Sequence, residues 1–409
     1  MKRKQKILLV TSLSLIVLLT LSIYVSLNKK KTSAFSEVIN LLNEPHQKED
    51  DELKGKFEKV LQDLFKNRNI AILNNDLEEL KKFYDLQKKP SLWAYESESK
   101  KVKYLNNWSQ KQGVVFNEIK SKIEIRKARE REKDLYGIIC VVSSEFTYYY
   151  LNEPLKTNTF RLGTYHYLNL KDEGDRYIIT KEWYTDPFAD SLDLNNIKSD
   201  EIKSYILNSS SPDYSPDERT QKAIDYAHTY CGAAADDELG FDYNKKYTDF
   251  NPQGGDCANF ASQILFEGGG FKKNSTWNYS DGEGSKAWVN AQAFKNYMVN
   301  SGRASYIAKG KYSEIYKAAY NLRPGDFVAY EKNGRITHIS TVTGLDSKGY
   351  PLVTCHNTDR LLVPFDLGWS NDNIRFHLID VYYWFRYKNH VYKNNQEIKL
   401  INIMKRISE

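Results

Sequence analysis

The chain begins with an apolar run. Ile7 to Leu27 carries no charge, with Lys2, Arg3, Lys4 and Lys6 before it and Lys29, Lys30 and Lys31 after it. As a helix it would span about 30 Å, one bilayer core. It exceeds the roughly 7–15 apolar residues of a signal peptide. The larger basic cluster on the N-terminal side predicts that end inside and the bulk outside. Residues 1–35 are therefore expected to be a cytoplasmic tip and transmembrane signal anchor, making a single-pass cell-membrane protein with an extracytoplasmic body. Cleavage at Thr32-Ser33-Ala34, giving a secreted protein, is the alternative.

From Ser36 to about Asp85 apolar residues recur every three or four positions: Val38, Leu41 and Leu42, then Leu53, Phe57, Val60, Leu61, Leu64 and Phe65. That period predicts helix. Asn75-Asp76 starts a short helix carrying Leu77, Leu80 and Phe83; Pro90 is read as a break, and Lys100–Gln112 as a further helix. After Gly113 the period becomes two. Ile119 to Lys127, Tyr136 to Tyr150, Phe160 to Leu170 and Arg176 to Tyr184 read as strands, with Asp172-Glu173-Gly174-Asp175 as a hairpin turn. Helices followed by long antiparallel strands make residues 36–207 an α+β domain. The order resembles the cone-shaped fold of the nuclear-transport-factor-like superfamily, a resemblance that implies a spacer or binding role. No convergent acid-base set shows in this stretch, and His166 reads as a packed or surface residue.

Residues 208–217, polar with two prolines, mark a domain boundary. Ser215-Pro216-Asp217 caps the next helix, lined by Ala223, Tyr226, Ala227 and Tyr230. Then comes Gly254-Gly255-Asp256-Cys257-Ala258-Asn259-Phe260-Ala261-Ser262-Gln263, followed by Ile264, Leu265 and the triplet Gly268-Gly269-Gly270. The two glycines permit a tight turn, Asp256 is a good N-cap, and Cys257 falls in the first helical turn. A thiol there meets free backbone N–H groups and the positive end of the helix dipole, which favour the thiolate. Asp256 opposes this by its charge unless capping bonds turn its carboxylate away. Further on, Phe327–Tyr330 and Ile336–Gly344 read as strands joined by Asn333-Gly334, a hairpin dipeptide. The second carries His338, placed to act as general base.

The order helix, nucleophile motif, aromatic insert (Trp277 and Ser285-Lys286-Ala287-Trp288) and Leu322-Arg323-Pro324-Gly325-Asp326, then Thr337-His338-Ile339-Ser340, resembles the putative amidase domain. That family is a papain-like branch related to NlpC-type and CHAP cell-wall hydrolases. The resemblance covers residues 216–387 and leaves 388–409 as a C-terminal tail. Ala258 and Ala261 depart from the family's usual Thr and Val. It implies a papain-like α+β cysteine hydrolase with Cys257 as nucleophile and His338 as base. His356 stands where these relatives place a third polar residue; Asn357 is the alternative, since papain uses Asn. The Cys257 backbone N–H is expected to bind the oxyanion, with Gln253 as a further donor and Asp256 in support. Trp277 and Trp288 are candidates to line a substrate cleft.

Composition changes this picture little. The 409 residues allow two or three domains, and a net charge of +6 without a clustered basic face predicts no nucleic-acid partner. The four cysteines, Cys140, Cys231, Cys257 and Cys355, lack the spacing of a disulfide scaffold or zinc module, although a Cys231–Cys355 disulfide is open. Cys140, in an apolar run, is expected buried and inert. Cys257, His338, Cys355 and His356 lack metal-ligand spacing, and no phosphate loop or nucleotide fingerprint appears, so neither metal nor cofactor is expected. The expected activity is amide hydrolysis, with peptidoglycan or a cell-wall peptide as substrate because of the compartment. The rival expectations are an inactive envelope module and a protease or transpeptidase.

Overall fold

The computed structural model describes residues 47–188, 190–235 and 241–382. The Ile7–Leu27 run, Val38, Leu41 and Leu42, and the 388–409 tail lie outside the described residues. Among the described residues no helix is long and apolar enough to cross a membrane. Among the described residues, those from Gly55 onward form one compact unit of mixed α and β structure.

Helix α1 (Gln47–Leu73) buries Phe57, Leu61, Leu64 and Phe65, the stripe its spacing predicts. Helix α2 (Leu77–Lys81) starts where the Asp76 carboxylate accepts the Glu79 N–H at 2.9 Å. Helix α3 runs from Lys89 to Gln112, earlier than expected. Pro90 lies in its first turn, where a missing N–H costs nothing, so it opens the helix instead of breaking it. Gly113, at φ +71°, ends it. Four antiparallel strands follow: β1 (Val114–Glu132), β2 (Leu135–Tyr150), β3 (Glu153–Asp172) and β4 (Tyr177–Trp183). Helix α4 (Ser199–Leu207) closes this half.

Beyond the 208–217 stretch, Asp217 caps α5 (Glu218–Thr229) by accepting the Thr220 N–H at 2.8 Å. Next come α6 (Cys257–Gln263), which continues in a wider turn to Gly268, and the two-residue strands β5 (Tyr279–Ser280) and β6 (Glu283–Gly284). Then follow α7 (Lys286–Val289), α8 (Ala291–Asn300), β7 (Ala304–Gly310) and α9 (Tyr312–Ala319). The last strands are β8 (Phe327–Lys332), β9 (Arg335–Leu345), β10 (Pro351–Cys355), β11 (Asp359–Pro364) and β12 (Ile374–Val381). Asn333 and Gly334, both at positive φ, form the β8–β9 turn.

Both halves share one ten-stranded sheet, in the order β1-β2-β3-β11-β10-β9-β8-β12-β7, with β4 on β3. Strand β3 is long enough to divide its second edge. Tyr167–Asp172 pair with β4, while Arg161, Leu162 and Gly163 pair with Leu361, Arg360 and Asp359 of β11. Beside this seam Lys111 of α3 meets Asp366 at 2.5 Å, both wholly buried, and Trp108 Nε1 and the Tyr350 hydroxyl also donate to Asp366. A buried charge is tolerated when paired and hydrogen-bonded in this way.

On one face of the sheet, Phe327, Ala329, Ile339 and Ile379 pack with Cys257, Phe260 and Ala261 of α6 and Phe294 of α8. The alternate residues face the other way. Tyr330 packs against Phe376, and Phe376 against Tyr312 of α9 and Phe365. The strand period of two thus decides which chemistry each face holds.

The N-terminal half corrects one expectation. It contains a convergent charged cluster that the sequence did not reveal. Arg68 Nη1 reaches both Glu182 oxygens at 2.9 and 2.8 Å and the Tyr84 hydroxyl donates to Glu182. His166 Nδ1 also meets Glu182, at 2.8 Å, and Tyr184 stacks on the His166 ring. These residues come from α1, the chain after α2, β3 and β4, so no local pattern could assemble them.

Candidate active site

The approach to Cys257 is built by backbone that only glycine takes easily. Gly254 and Gly255 have φ of +117° and +138°. A Cβ on Gly255 would lie 2.5 Å from Asn357 Nδ2. Asn357 Oδ1 accepts the Asp256 N–H at 2.6 Å, so the loop leaving β10 pins the chain just before the cysteine.

Asp256 occupies the N-cap position of α6, but its side chain does not cap the helix. Its Oδ1 accepts the Phe250 N–H at 3.0 Å and Asn259 Nδ2 at 2.8 Å, and its Oδ2 lies 2.5 Å from His356 Nδ1. The carboxylate is therefore turned aside, and the first-turn N–H groups remain for the sulfur. The backbone N–H groups of Ile339 and Ala258 both reach Cys257 and act to lower its pKa. Burial acts more strongly in the opposite direction, and the thiol is pushed up to about 12. The expected low pKa is thus not met: the helix start acts as predicted but is outweighed by desolvation at 7% exposure.

His356 is sandwiched between Tyr243 and Phe260, each ring 3.7 Å away and within 10° of parallel. Its Nδ1 faces Asp256 and its Nε2 the Tyr230 carbonyl at 2.7 Å. A carbonyl can only accept, so Nε2 donates to it, while Nδ1 is engaged by Asp256. Neither nitrogen is left for a thiol, and His356 does not orient His338. It braces the ends of β10 and α5 against the start of α6. Asn357, the alternative, bonds to Asp256 and does not orient His338 either.

His338 also departs from expectation. It shares a sheet face with Tyr330, and its ring stacks on Trp369 at 5.1 Å. Its Nε2 lies 3.2 Å from Cys355 Sγ. Burial, aided by the Arg360 charge, pushes its pKa down to about 3, and burial pushes the Cys355 thiol up to about 11. The pair is neutral and joined by a single hydrogen bond. Among the described residues no hydrogen bond joins Cys257 to either imidazole.

The other candidates are also displaced. Gln253 is exposed on the turn Asn251–Gln253. Trp277 and Trp288 are wholly buried, 4.6 Å apart, and donate to Ser262 and Asn259. They pack behind α6 and line no cleft. All four cysteines are free thiols, so there is no Cys231–Cys355 disulfide; Cys231 donates to the His228 carbonyl, and Cys140 is wholly buried. The residues missed in the sequence are Cys355, Tyr243 and Asp359. Parity along β10 was the available signal for Cys355, since it must face opposite to His356.

No curated protein matches the chain. Several solved structures overlap part of it, among them the following two. The intermembrane space region of chloroplast protein ARC6 is 11% identical with a TM-score of 0.23, covering 32% of this chain and 95% of that one. An NTF-2 like protein from Shewanella oneidensis MR-1 is 14% identical with a TM-score of 0.20, covering 31% and 98%. Family comparison identifies the segment built around Cys257: residues 217–379 match the putative amidase domain, which makes this part of the chain amidohydrolase-like.

Proposed function

We propose that the protein is an envelope-anchored cysteine amidohydrolase that cleaves an amide bond in peptidoglycan, with Cys257 as nucleophile. The observation that carries this is the setting of the sulfur. Within the amidase-matching segment, Cys257 starts a helix, receives two backbone N–H groups, and has its neighbouring carboxylate drawn away by His356. Those N–H groups suit an anion, whether thiolate or tetrahedral oxyanion. In the reaction the Cys257 proton passes to His338 and sulfur adds to the amide carbon. The C–N bond then breaks as the imidazolium protonates the leaving amine, and water releases the acid. His338 points to the face of β9 opposite to Cys257, so for this step β9 must rearrange and carry the ring from Cys355 to the Cys257 side. The uncharged Ile7–Leu27 run supports the anchor, and the compartment supports the substrate.

The His338–Cys355 bond favours a second reading, an inactive amidase-like envelope module. One experiment separates the two. Purified cell wall is incubated with the wild type and with Cys257→Ala, and released fragments are identified by mass. Amide cleavage lost in the variant supports the enzyme; identical, fragment-free digests would leave the inactive module.

A further inference from the structure

Asp359, at the start of β11, lies where the two halves of the sheet meet. It pairs with Gly163 of β3 and is 1% exposed. Its Oδ2 accepts the Ala233 N–H at 2.8 Å and its Oδ1 the Tyr243 hydroxyl at 2.6 Å. The surroundings leave no slack. A Cβ on Gly163 would lie 2.3 Å from the Ala233 carbonyl carbon, and one on Gly232 would lie 2.4 Å from Asp359 Oδ2. Tyr243 carries the contact onward in two directions. Its hydroxyl accepts Asn251 Nδ2 at 3.0 Å, in the turn that precedes Gly254, and its ring stacks on His356, which holds Asp256 beside Cys257.

We propose that Asp359 is a positioning residue for the Cys257 site, and that through it strand β3 of the N-terminal half forms part of the site's frame. The proposal rests on the Cys257 reading. A tyrosine ring held at both its face and its hydroxyl fixes the plane of His356. Loss of the hydroxyl's acceptor frees that plane, and with it the Asp256 carboxylate and the start of α6.

The groups facing Asp359 are Tyr243, His356, Asp256, Tyr165, Cys231 and Cys355. Burial outweighs the help from His356, Tyr243 and the Ala233 N–H, raising Asp359 to about 6. Two opposite signs follow. The ionised form, which accepts both bonds, exists above that pH, so positioning fails as pH falls through it. Stability runs the other way: a raised carboxyl pKa makes the ionised form costly, so this group's contribution declines as pH rises toward 6. Asp359→Asn keeps the shape, with its oxygen left for Ala233 and its amide donating to Tyr243. It also removes the buried charge.

The test compares the full chain with its Asp359→Asn and Asp359→Ala variants. Four readouts are taken: thermal midpoint, kcat and KM on purified cell wall, the acid limb of the pH profile, and the downfield proton resonance of His356 in the short bond to Asp256. For Asp359→Asn the midpoint at neutral pH should equal or exceed wild type. Its kcat should fall about tenfold with little change in KM, the acid limb should vanish, and the His356 proton should shift or broaden. Asp359→Ala should lose more kcat. Wild-type kcat with an unmoved His356 proton overturns the proposal, as does a kcat loss that only follows a lower midpoint. If the wild type and Cys257→Ala are equally inert, the amidase reading fails by itself. The His356 proton then decides alone: displaced in Asp359→Asn it supports the positioning role, unmoved it overturns it.

Discussion

His166 in the N-terminal half and His356 in the C-terminal half look alike by residue type and burial. Each faces a carboxylate through Nδ1: Glu182 at 2.8 Å for His166, Asp256 at 2.5 Å for His356. The difference lies at Nε2. His166 meets the Thr164 hydroxyl at 2.8 Å, whereas His356 meets a backbone carbonyl. A hydroxyl can donate, so His166 can be neutral, and burial indeed lowers its pKa. A carbonyl cannot donate, so His356 needs its N–H at Nε2. The Glu182 carboxylate also has the Arg68 guanidinium and Tyr84, whereas the other donors to Asp256, the Phe250 N–H and Asn259 Nδ2, carry no charge. Without its histidine, Glu182 keeps a cationic partner and Asp256 keeps only neutral ones. A buried histidine's role is therefore set by its second partner.

The largest expected effect separates the halves by chemistry. Cys257→Ala should reduce cell-wall amide cleavage by about three orders of magnitude or more, as loss of a nucleophile does. Cys140→Ala, in the other half, should leave it within about twofold, the scale of a change remote from the site. Rates of fragment release measure both, and comparable losses would erase the distinction. Next, His356→Ala removes one partner of a buried pair and should cost about 3–5 kcal/mol in urea unfolding. His166→Ala should cost nearer 1–3 kcal/mol, because Glu182 keeps the Arg68 guanidinium at 2.8 Å. A reversed ranking would show that the Arg68 charge does not protect the N-terminal cluster.

Gly163→Ala tests the seam between the halves. Its Cβ would meet Ala233 backbone at 2.3 Å, an overpacking expected to cost about 1–3 kcal/mol. An unchanged unfolding midpoint would mean that the seam yields freely. The smallest effect at any one step of pH is a slope. His338 is held neutral down to about pH 3, against 6.5 for a free imidazole. Its contribution is complete above the unfolded value and lost as pH falls from there toward 3, by at most about 1.4 kcal/mol per pH unit. His338→Gln should flatten that part of the stability profile, seen by urea titration at a series of pH values. A slope identical to wild type would place its origin elsewhere.

Much of the frame was readable along the chain. The β8–β9 turn at Asn333-Gly334, the Asp217 cap and the positive φ of Gly254 and Gly255 follow from side chains acting on their own backbone. The site was less readable, because its contacts join residues far apart in sequence. Asp256 looked like a cap since capping is the local use of an aspartate; His356, a hundred positions on, draws it away. Trp277 and Trp288 looked like cleft residues because their burial depends on what covers them.

The sequence alone determined the apolar stripe of α1, the strands β1 to β4, the β8–β9 hairpin, and that Cys257 would open a helix, since periodicity and turn chemistry act over a few residues. It also determined that His338 and Ile339 face opposite ways, because strand parity is a property of the backbone. Only the tertiary structure decided which face α6 covers, and hence that Ile339, not His338, meets the Cys257 sulfur. It likewise decided that β3 would divide its edge between β4 and β11. Strand edges carry the same N–H and C=O groups whatever the side chains, so their pairing is settled by global packing.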